Sequence, residues 1–144
     1  AREHGLAALE RALDGVVGET AVHICFGYAA IIHERPSAYS FLPELASCSA
    51  NQISIETAQS DLDTVILESL PGKGIILGVI NLDDPAVESP DVVAARIGKA
   101  LPYKRPDELV ASTDCGMKYL PRDVAYGKLE ALVAGAELVR AGTA

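Results

Sequence analysis

Residues 74–80 read GIILGVI, seven positions without one polar side chain. A strand wetted on one face alternates apolar with polar residues, whereas a run apolar at every position belongs to a strand covered on both faces. Pro71-Gly72 stops the segment before it, and seven residues are too few for a core helix. Residues 74–80 therefore predict a buried strand of a parallel sheet, and the segments on either side decide how that sheet is wound.

Upstream, QISIE (52–56) is a strand closed by Thr57 to Ser60. Ser60 suits the N-cap of a helix carrying Leu62, Val65, Ile66 and Leu70, with Asp61 and Asp63 in its first turn. AVHICF (21–26) is an earlier strand. An amphipathic helix over 2–16, marked by Leu6, Leu9 and Leu13, precedes it. A loop holding His33, Arg35 and Pro36 and a short helix within 39–47 follow it. Downstream, Ser89-Pro90 caps a helix carrying Val92, Val93, Ile97 and Leu101. ELVAST (108–113) is the last strand, Asp114-Cys115-Gly116 a turn, and Pro121 opens a helix to about Ala141.

A helix followed by four strand–helix units predicts an α/β fold with parallel strands and right-handed crossovers. Four such units make half of a TIM-type (β/α)8 barrel, whose usual length is ~250 residues. A free half barrel leaves two strand edges and an apolar interior open. The expectation is therefore a (β/α)4 half barrel, completed by a missing half, a second chain or a copy of itself. An open, flavodoxin-like sheet is the alternative. No linker or low-complexity tract divides residues 1–144, so they read as a single unit.

A net charge of −8 argues against surfaces that track nucleic-acid phosphates or anionic membranes. The apolar runs fall far short of the ~20 residues of a membrane span. No signal peptide is visible, and Ala1 lies in a helical pattern, so the true start is expected upstream. Three cysteines without framework spacing favour a reducing compartment, here the cytoplasm.

In such sheets every strand delivers its carboxyl end to one rim, where barrel active sites lie. His23 and Cys25 stand at i and i+2 on one side of the first strand. Glu56 ends the second strand, and Cys115 follows the fourth. An imidazole, two thiolates and a carboxylate on one rim suit Zn²⁺. Taken singly, His23 also fits a core histidine, and Cys25 and Cys115 fit small buried apolar residues.

HICFG, QISIETAQS and STDCGMKYLPRD together resemble the catalytic domain of cobalamin-independent methionine synthase. That family carries an H-x-C strand, an ISIE strand and a DCG-[LM]-K turn in this order. The resemblance runs from about His23 to the final helix and corresponds to the C-terminal half of the family's barrel. It implies that His23, Cys25, Glu56 and Cys115 match the zinc ligands. It also implies that zinc turns a substrate thiol, homocysteine, into a thiolate that takes the methyl group from N5 of methyltetrahydrofolate. Catalytic zinc ordinarily keeps three protein ligands and an open position. With four candidates, Glu56, the hardest donor, is the one expected to give way to the thiol.

The third strand departs from the family pattern. Where methionine synthases read GVYDIHSPRVPS, this chain reads GVINLDDPAVES, placing Asn81 at the Asp and Asp83 at the proton-handling His. Asp83 is thus the candidate proton relay, although a solvated turn with Asp84 explains it equally well. The departure bears on the methyl donor more than on zinc or thiol.

The remaining polar residues rank lower. Cys48 reads as packing, His33 and Arg35 as a loop able to cover the site, and Asp114 and Lys118 as supports for Cys115 or turn residues. Gly72-Lys73-Gly74 lacks phosphate-loop spacing.

Three rival readings remain. An epoxyalkane:coenzyme M transferase would keep the zinc and thiol chemistry, with coenzyme M as the thiol and an epoxide as the alkyl donor. A non-catalytic zinc-binding assembly subunit would use the half barrel as an interface. A metal-free barrel related to uroporphyrinogen decarboxylase would merely pack His23, Cys25 and Cys115.

Overall fold

The computed structural model describes residues 4–27, 39 and 41–143. His33 and Arg35, read from the sequence as part of a loop, lie outside the described residues. Helix α1 (Gly5–Leu13) leads into β1 (Ala21–Ile24), α2 (Leu42–Leu45) and β2 (Gln52–Glu56). A 3-10 helix (Thr64–Ser69), β3 (Gly74–Ile80) and α3 (Pro90–Gly98) follow. A second 3-10 turn (Pro106–Glu108), β4 (Leu109–Thr113) and α4 (Arg122–Thr143) complete the chain.

The four strands form one sheet in the order β1-β2-β3-β4, every neighbouring pair parallel. A flavodoxin-like sheet reverses direction part-way through its strand order. This one advances without reversal, as a barrel wall does.

Register explains the faces. Val22, Ile53, Ile75 and Leu109 stand side by side, and Ile24, Ile55, Leu77 and Ala111 form the next row. Val22 and Ile24 meet α1 and α2, while Leu109 and Ala111 meet α3 and α4. The helices therefore cover this one face, and Ile53, Ile55, Ile75 and Leu77 on it are sealed from solvent.

His23, Ser54, Ile76 and Val110 make the row on the opposite face. Within the described residues that face is only partly covered: His23 and Val110 are exposed, and Ser54 and Ile76 half-buried. The expectation of cover on both faces of residues 74–80 thus holds from Leu77 to Ile80, where every residue is buried, and for one face only over Gly74 to Ile76.

Ser89 caps α3 by accepting from the Val92 N–H at 3.4 Å, and Pro90 starts it, as read from the sequence. Helix α4 lies so close to α3 that a Cβ on Gly135 would stand 2.5 Å from the Val93 Cβ. Only a residue without a side chain fits that crossing.

The helix expected from Ser60 is absent. Asp61 adopts φ +44°, which breaks helical continuity, and the helical segment is a 3-10 helix starting at Thr64. Asp63, not Ser60, caps it, accepting from the Val65 N–H at 3.0 Å. Helix α1 is likewise shorter than residues 2–16. Strand β1 closes at Ile24, leaving Cys25 and Phe26 just past the last ladder position.

Candidate metal centre

Cys25 follows the end of β1, Glu56 ends β2, Asn81 follows β3, and Cys115 lies two residues past β4. All four strands therefore present these residues at one rim. The nitrogen of His23 and the sulfurs of Cys25 and Cys115 lie within 4.8 Å of one another. The two sulfurs stand 3.4 Å apart. A disulfide would need about 2.0 Å. Zinc–sulfur bonds of ~2.3 Å in a tetrahedron put two sulfurs about 3.8 Å apart, so 3.4 Å approaches the edge of a metal's ligand shell. The donor set fits a zinc ion in chemistry and in spacing.

The same neighbours set the electrostatics of Cys25. Burial, a hydrogen bond to the Glu56 carboxylate and the Cys115 sulfur push its thiol up to about 12. The Gly27 N–H, 3.0 Å from the sulfur, pulls the other way without prevailing. Potential anions crowded like this are compatible only with retained protons or with a cation among them.

Each donor is held from behind. His23 Nδ1 and the Ser54 hydroxyl are 2.8 Å apart, a consequence of their being partners across β1 and β2. With Nδ1 donating to Ser54, Nε2 carries the lone pair a metal needs. Thr113 donates its hydroxyl to the Cys115 carbonyl at 2.8 Å, shaping the turn after β4.

Glu56 is wholly buried beside Cys25, but it is not one of the three donors that converge within 4.8 Å. Its Oε1 accepts from the Phe26 N–H at 2.6 Å, and its Oε2 accepts from the side-chain amide of Gln59. Asp83 stands exposed in the loop after β3, its N–H donating to Asn81 Oδ1 at 2.8 Å. Cys48 is buried in the core, as its packing reading required. Lys118 lies over the Tyr119 ring, 4.8 Å from its centre. Lys73, from the Gly72–Gly74 turn, donates to the Cys48 and Ala50 carbonyls instead of facing a phosphate.

Four contributors were not singled out from sequence. Tyr39, stacked on Phe26 with ring centres 4.2 Å apart, donates its hydroxyl to the Ile24 carbonyl and accepts from the Glu56 N–H, both at 3.0 Å. It bridges β1 and β2 where their ladder ends. Ser54 and Gln59 are the second and third.

The fourth is Gly78, which makes room for Asp114. A Cβ at Gly78 would lie 2.4 Å from Asp114 Oδ1 and 2.9 Å from the Ile55 carbonyl. The β3–β4 register slips at this point, with Gly78 opposite Ser112 but Ile80 opposite Thr113. That bulge, a device common beside active sites, brings Asp114 over Gly78.

Asp114 reaches across to the loop after β2. Its Oδ1 accepts from the Thr57 and Ala58 N–H groups, each at 3.2 Å, and its Oδ2 from the Gln59 N–H at 2.6 Å. Burial lifts its carboxyl to about 6 against the opposing pull of those three N–H groups. Asp114 is thus the post on which the loop behind Glu56 hangs.

Residues 10–138 match the family described as the catalytic domain of cobalamin-independent synthase. This chain belongs to that family. The methionine synthase of Thermococcus kodakarensis is 32% identical over 134 residues, and that of Saccharolobus islandicus strain Y.G.57.14 is 32% identical over 139. The alignments cover 92% and 94% of this chain but only 37% and 39% of those proteins. Among solved structures, a B12-independent methionine synthase from Shewanella sp. W3-18-1, in complex with selenomethionine, superposes with a TM-score of 0.88 at 35% identity. It covers 98% of this chain and 44% of that one. The chain therefore has the (β/α)4 half-barrel architecture and spans well under half the length of these relatives. No helix among the described residues is long and apolar enough to cross a membrane.

Proposed function

We propose that this chain is part of a zinc-dependent methyltransferase that methylates a thiol, with homocysteine as acceptor and methionine as product. The observation that carries the reading is the convergence of His23, Cys25 and Cys115 within 4.8 Å at the rim of a chain of this family. Zinc, when bound, supplies Lewis-acid chemistry that keeps a thiol ionised at neutral pH.

The chain's own residues do the rest. Ser54 fixes the ring of His23, Tyr39 and the Phe26 N–H fix Glu56, and Asp114 fixes the loop that carries Gln59. Glu56 is the fourth candidate ligand, adjoining the three-donor set at Cys25. Asp83, on the loop at the same rim, is the candidate for handling the proton that leaves or returns during transfer. The open edges of β1 and β4 and the half-covered face of the sheet are completed by the other half barrel, in the same polypeptide or in a second one. The alkyl donor, a methylated folate or another methyl carrier, is expected to contact that other half.

Elemental analysis of the complete protein, purified without chelators, should give one zinc per chain. Incubation with homocysteine and methyltetrahydrofolate should then yield methionine. Coenzyme M and epoxides serve as the contrasting pair of substrates. Protein that holds no zinc, or that methylates no thiol from any methyl donor, overturns the reading.

A further inference from the structure

Lys128 is completely buried, and every donor of its ammonium is used. Its Nζ donates to the Asn81 carbonyl at 3.0 Å, the Ala86 carbonyl at 2.6 Å and Glu88 Oε2 at 2.8 Å. A counter-ion accounts for one of these bonds. The other two go to carbonyls that bracket residues 82–85, so the ammonium of α4 ties together the two ends of the loop after β3. Apolar side chains of similar size in place of a buried ion pair often leave a protein equally stable or more so. Stability alone therefore gives no reason for this charge; the geometry it imposes does.

Glu88 completes the clamp. Its Oε1 accepts from the Asn81 N–H at 2.8 Å and from Arg96 Nη1 at 3.1 Å, and Arg96 Nη1 also donates to the Val79 carbonyl at 2.7 Å. Asn81, the first residue past β3, is thus gripped by both its N–H and its carbonyl. Within the loop, Asn81 Oδ1 accepts from the Asp83 N–H and Asp84 Oδ1 from the Ala86 N–H, each at 2.8 Å. Gly127 keeps α4 close, since a Cβ there would lie 3.1 Å from Val87 Cγ2. The loop starts beside the candidate metal centre: the Ile80 carbonyl accepts from the Asp114 N–H at 3.3 Å, and Cys115 is the next residue.

We propose that Lys128 is a positioning residue for the transfer reaction, which together with Glu88 closes the loop after β3 and sets where Asp83 stands at the rim. The proposal rests on the reading above that Asp83 handles the proton, and adds to it what holds Asp83 in place. Lys128 touches no reacting atom. It acts through the Asn81 and Ala86 carbonyls, on either side of Asp83.

The test uses the complete protein with zinc bound, as wild type, Lys128→Met, Asp83→Asn and the double variant. In Lys128→Met, amide hydrogen exchange at residues 81–86 should quicken at least about tenfold while residues 74–79 stay unchanged. Turnover of homocysteine with methyltetrahydrofolate should fall about 30-fold, the scale of a displaced reacting group, with zinc content and homocysteine affinity held within about twofold. Because the loss runs through Asp83, adding Asp83→Asn to Lys128→Met should cost less than about threefold more. Lys128→Met combined with Glu88→Gln removes both charges and repeats the measurements should the single variant unfold. An Asp83→Asn penalty equal in both backgrounds, or loss of zinc and of β3 protection along with the loop, assigns Lys128 to stability and overturns the proposal. Unchanged exchange at 81–86 overturns the clamp itself. Full activity in Asp83→Asn overturns the reading of Asp83, and a wild type that methylates no thiol overturns the reading of the reaction; the positioning role falls with either.

Discussion

Cys25 and Cys115 are 90 residues apart in sequence and 3.4 Å apart at their sulfurs, so each is exposed to test by itself. Replacing either by Ser removes a soft donor and substitutes a hydroxyl that zinc holds poorly at neutral pH. Cys25→Ser and Cys115→Ser are each expected to lower zinc affinity by at least about 100-fold in chelator competition, with an unchanged far-ultraviolet circular dichroism spectrum. Ser54→Ala is the milder variant. It frees the His23 ring without touching a donor and should cost about tenfold, within the range usual for a ligand's supporting partner. Gly78→Ala acts through packing instead. Its methyl would collide with Asp114 and the Ile55 carbonyl, so about 1–3 kcal/mol of stability should be lost in urea unfolding. That His23, Cys25 and Cys115 meet at one rim was legible, because parallel strands deliver their carboxyl ends to one side of the sheet. Ser54, Tyr39 and Gln59 were not. Their roles depend on strand register and on how far a side chain reaches across it, neither of which local spacing encodes.

Helix α4 and the loop after β3 are joined by a buried charge cluster that pattern reading passed over, because Lys128 looks like an ordinary helix-surface lysine. Lys128 is completely buried, and its ammonium donates to the Asn81 and Ala86 carbonyls at 3.0 and 2.6 Å and to Glu88 Oε2 at 2.8 Å. Glu88 Oε1 accepts from the Asn81 N–H at 2.8 Å and from Arg96 at 3.1 Å. Burial pushes the Glu88 carboxyl up, but Lys128, the Asn81 N–H and Arg96 together outweigh it and hold the group below its usual value. A carboxyl lowered on folding contributes stability that is fully present above its unfolded pKa of about 4.3 and is lost as pH falls through the lower folded value. Glu88→Gln leaves the Lys128 charge without its counter-ion. It should cost about 3 kcal/mol at pH 7, and the gap from wild type should shrink as urea midpoints are followed below about pH 4. A gap constant from pH 7 to 3 would show that Glu88 acts by shape alone. Among the elements, the strands and α3 were plain in sequence because their apolar spacing and caps are local. The segment after β2 was not, since Asp61 takes a positive φ and Asp63, not Ser60, caps the helical turn that follows.

At the scale of the molecule, the sheet leaves both of its outer strands without a partner on one side among the described residues, β1 at one end and β4 at the other. Each end also carries an apolar cavity. One of about 220 Å³ is lined by residues including Leu6, Val22, Ile24 and Phe41. One of about 80 Å³ lies between Ile97, Leu109, Ala111 and Val139. Val110, on the sheet face away from the helices, is 48% exposed. Unpaired strand edges and open apolar surface favour association. The half-barrel architecture was legible because it follows from counting strand–helix units. What pairs with the outer strands was not, because counting strand–helix units says nothing about edge pairing. Residues 1–144 produced alone should therefore self-associate in size-exclusion chromatography and bind a hydrophobic dye. Mixed with a polypeptide supplying four further strand–helix units from the same protein, they should give a one-to-one complex that no longer binds the dye and takes up one zinc. A monodisperse monomer without dye binding would show that the edges are closed by the chain itself, and the half barrel would then stand as an independent domain.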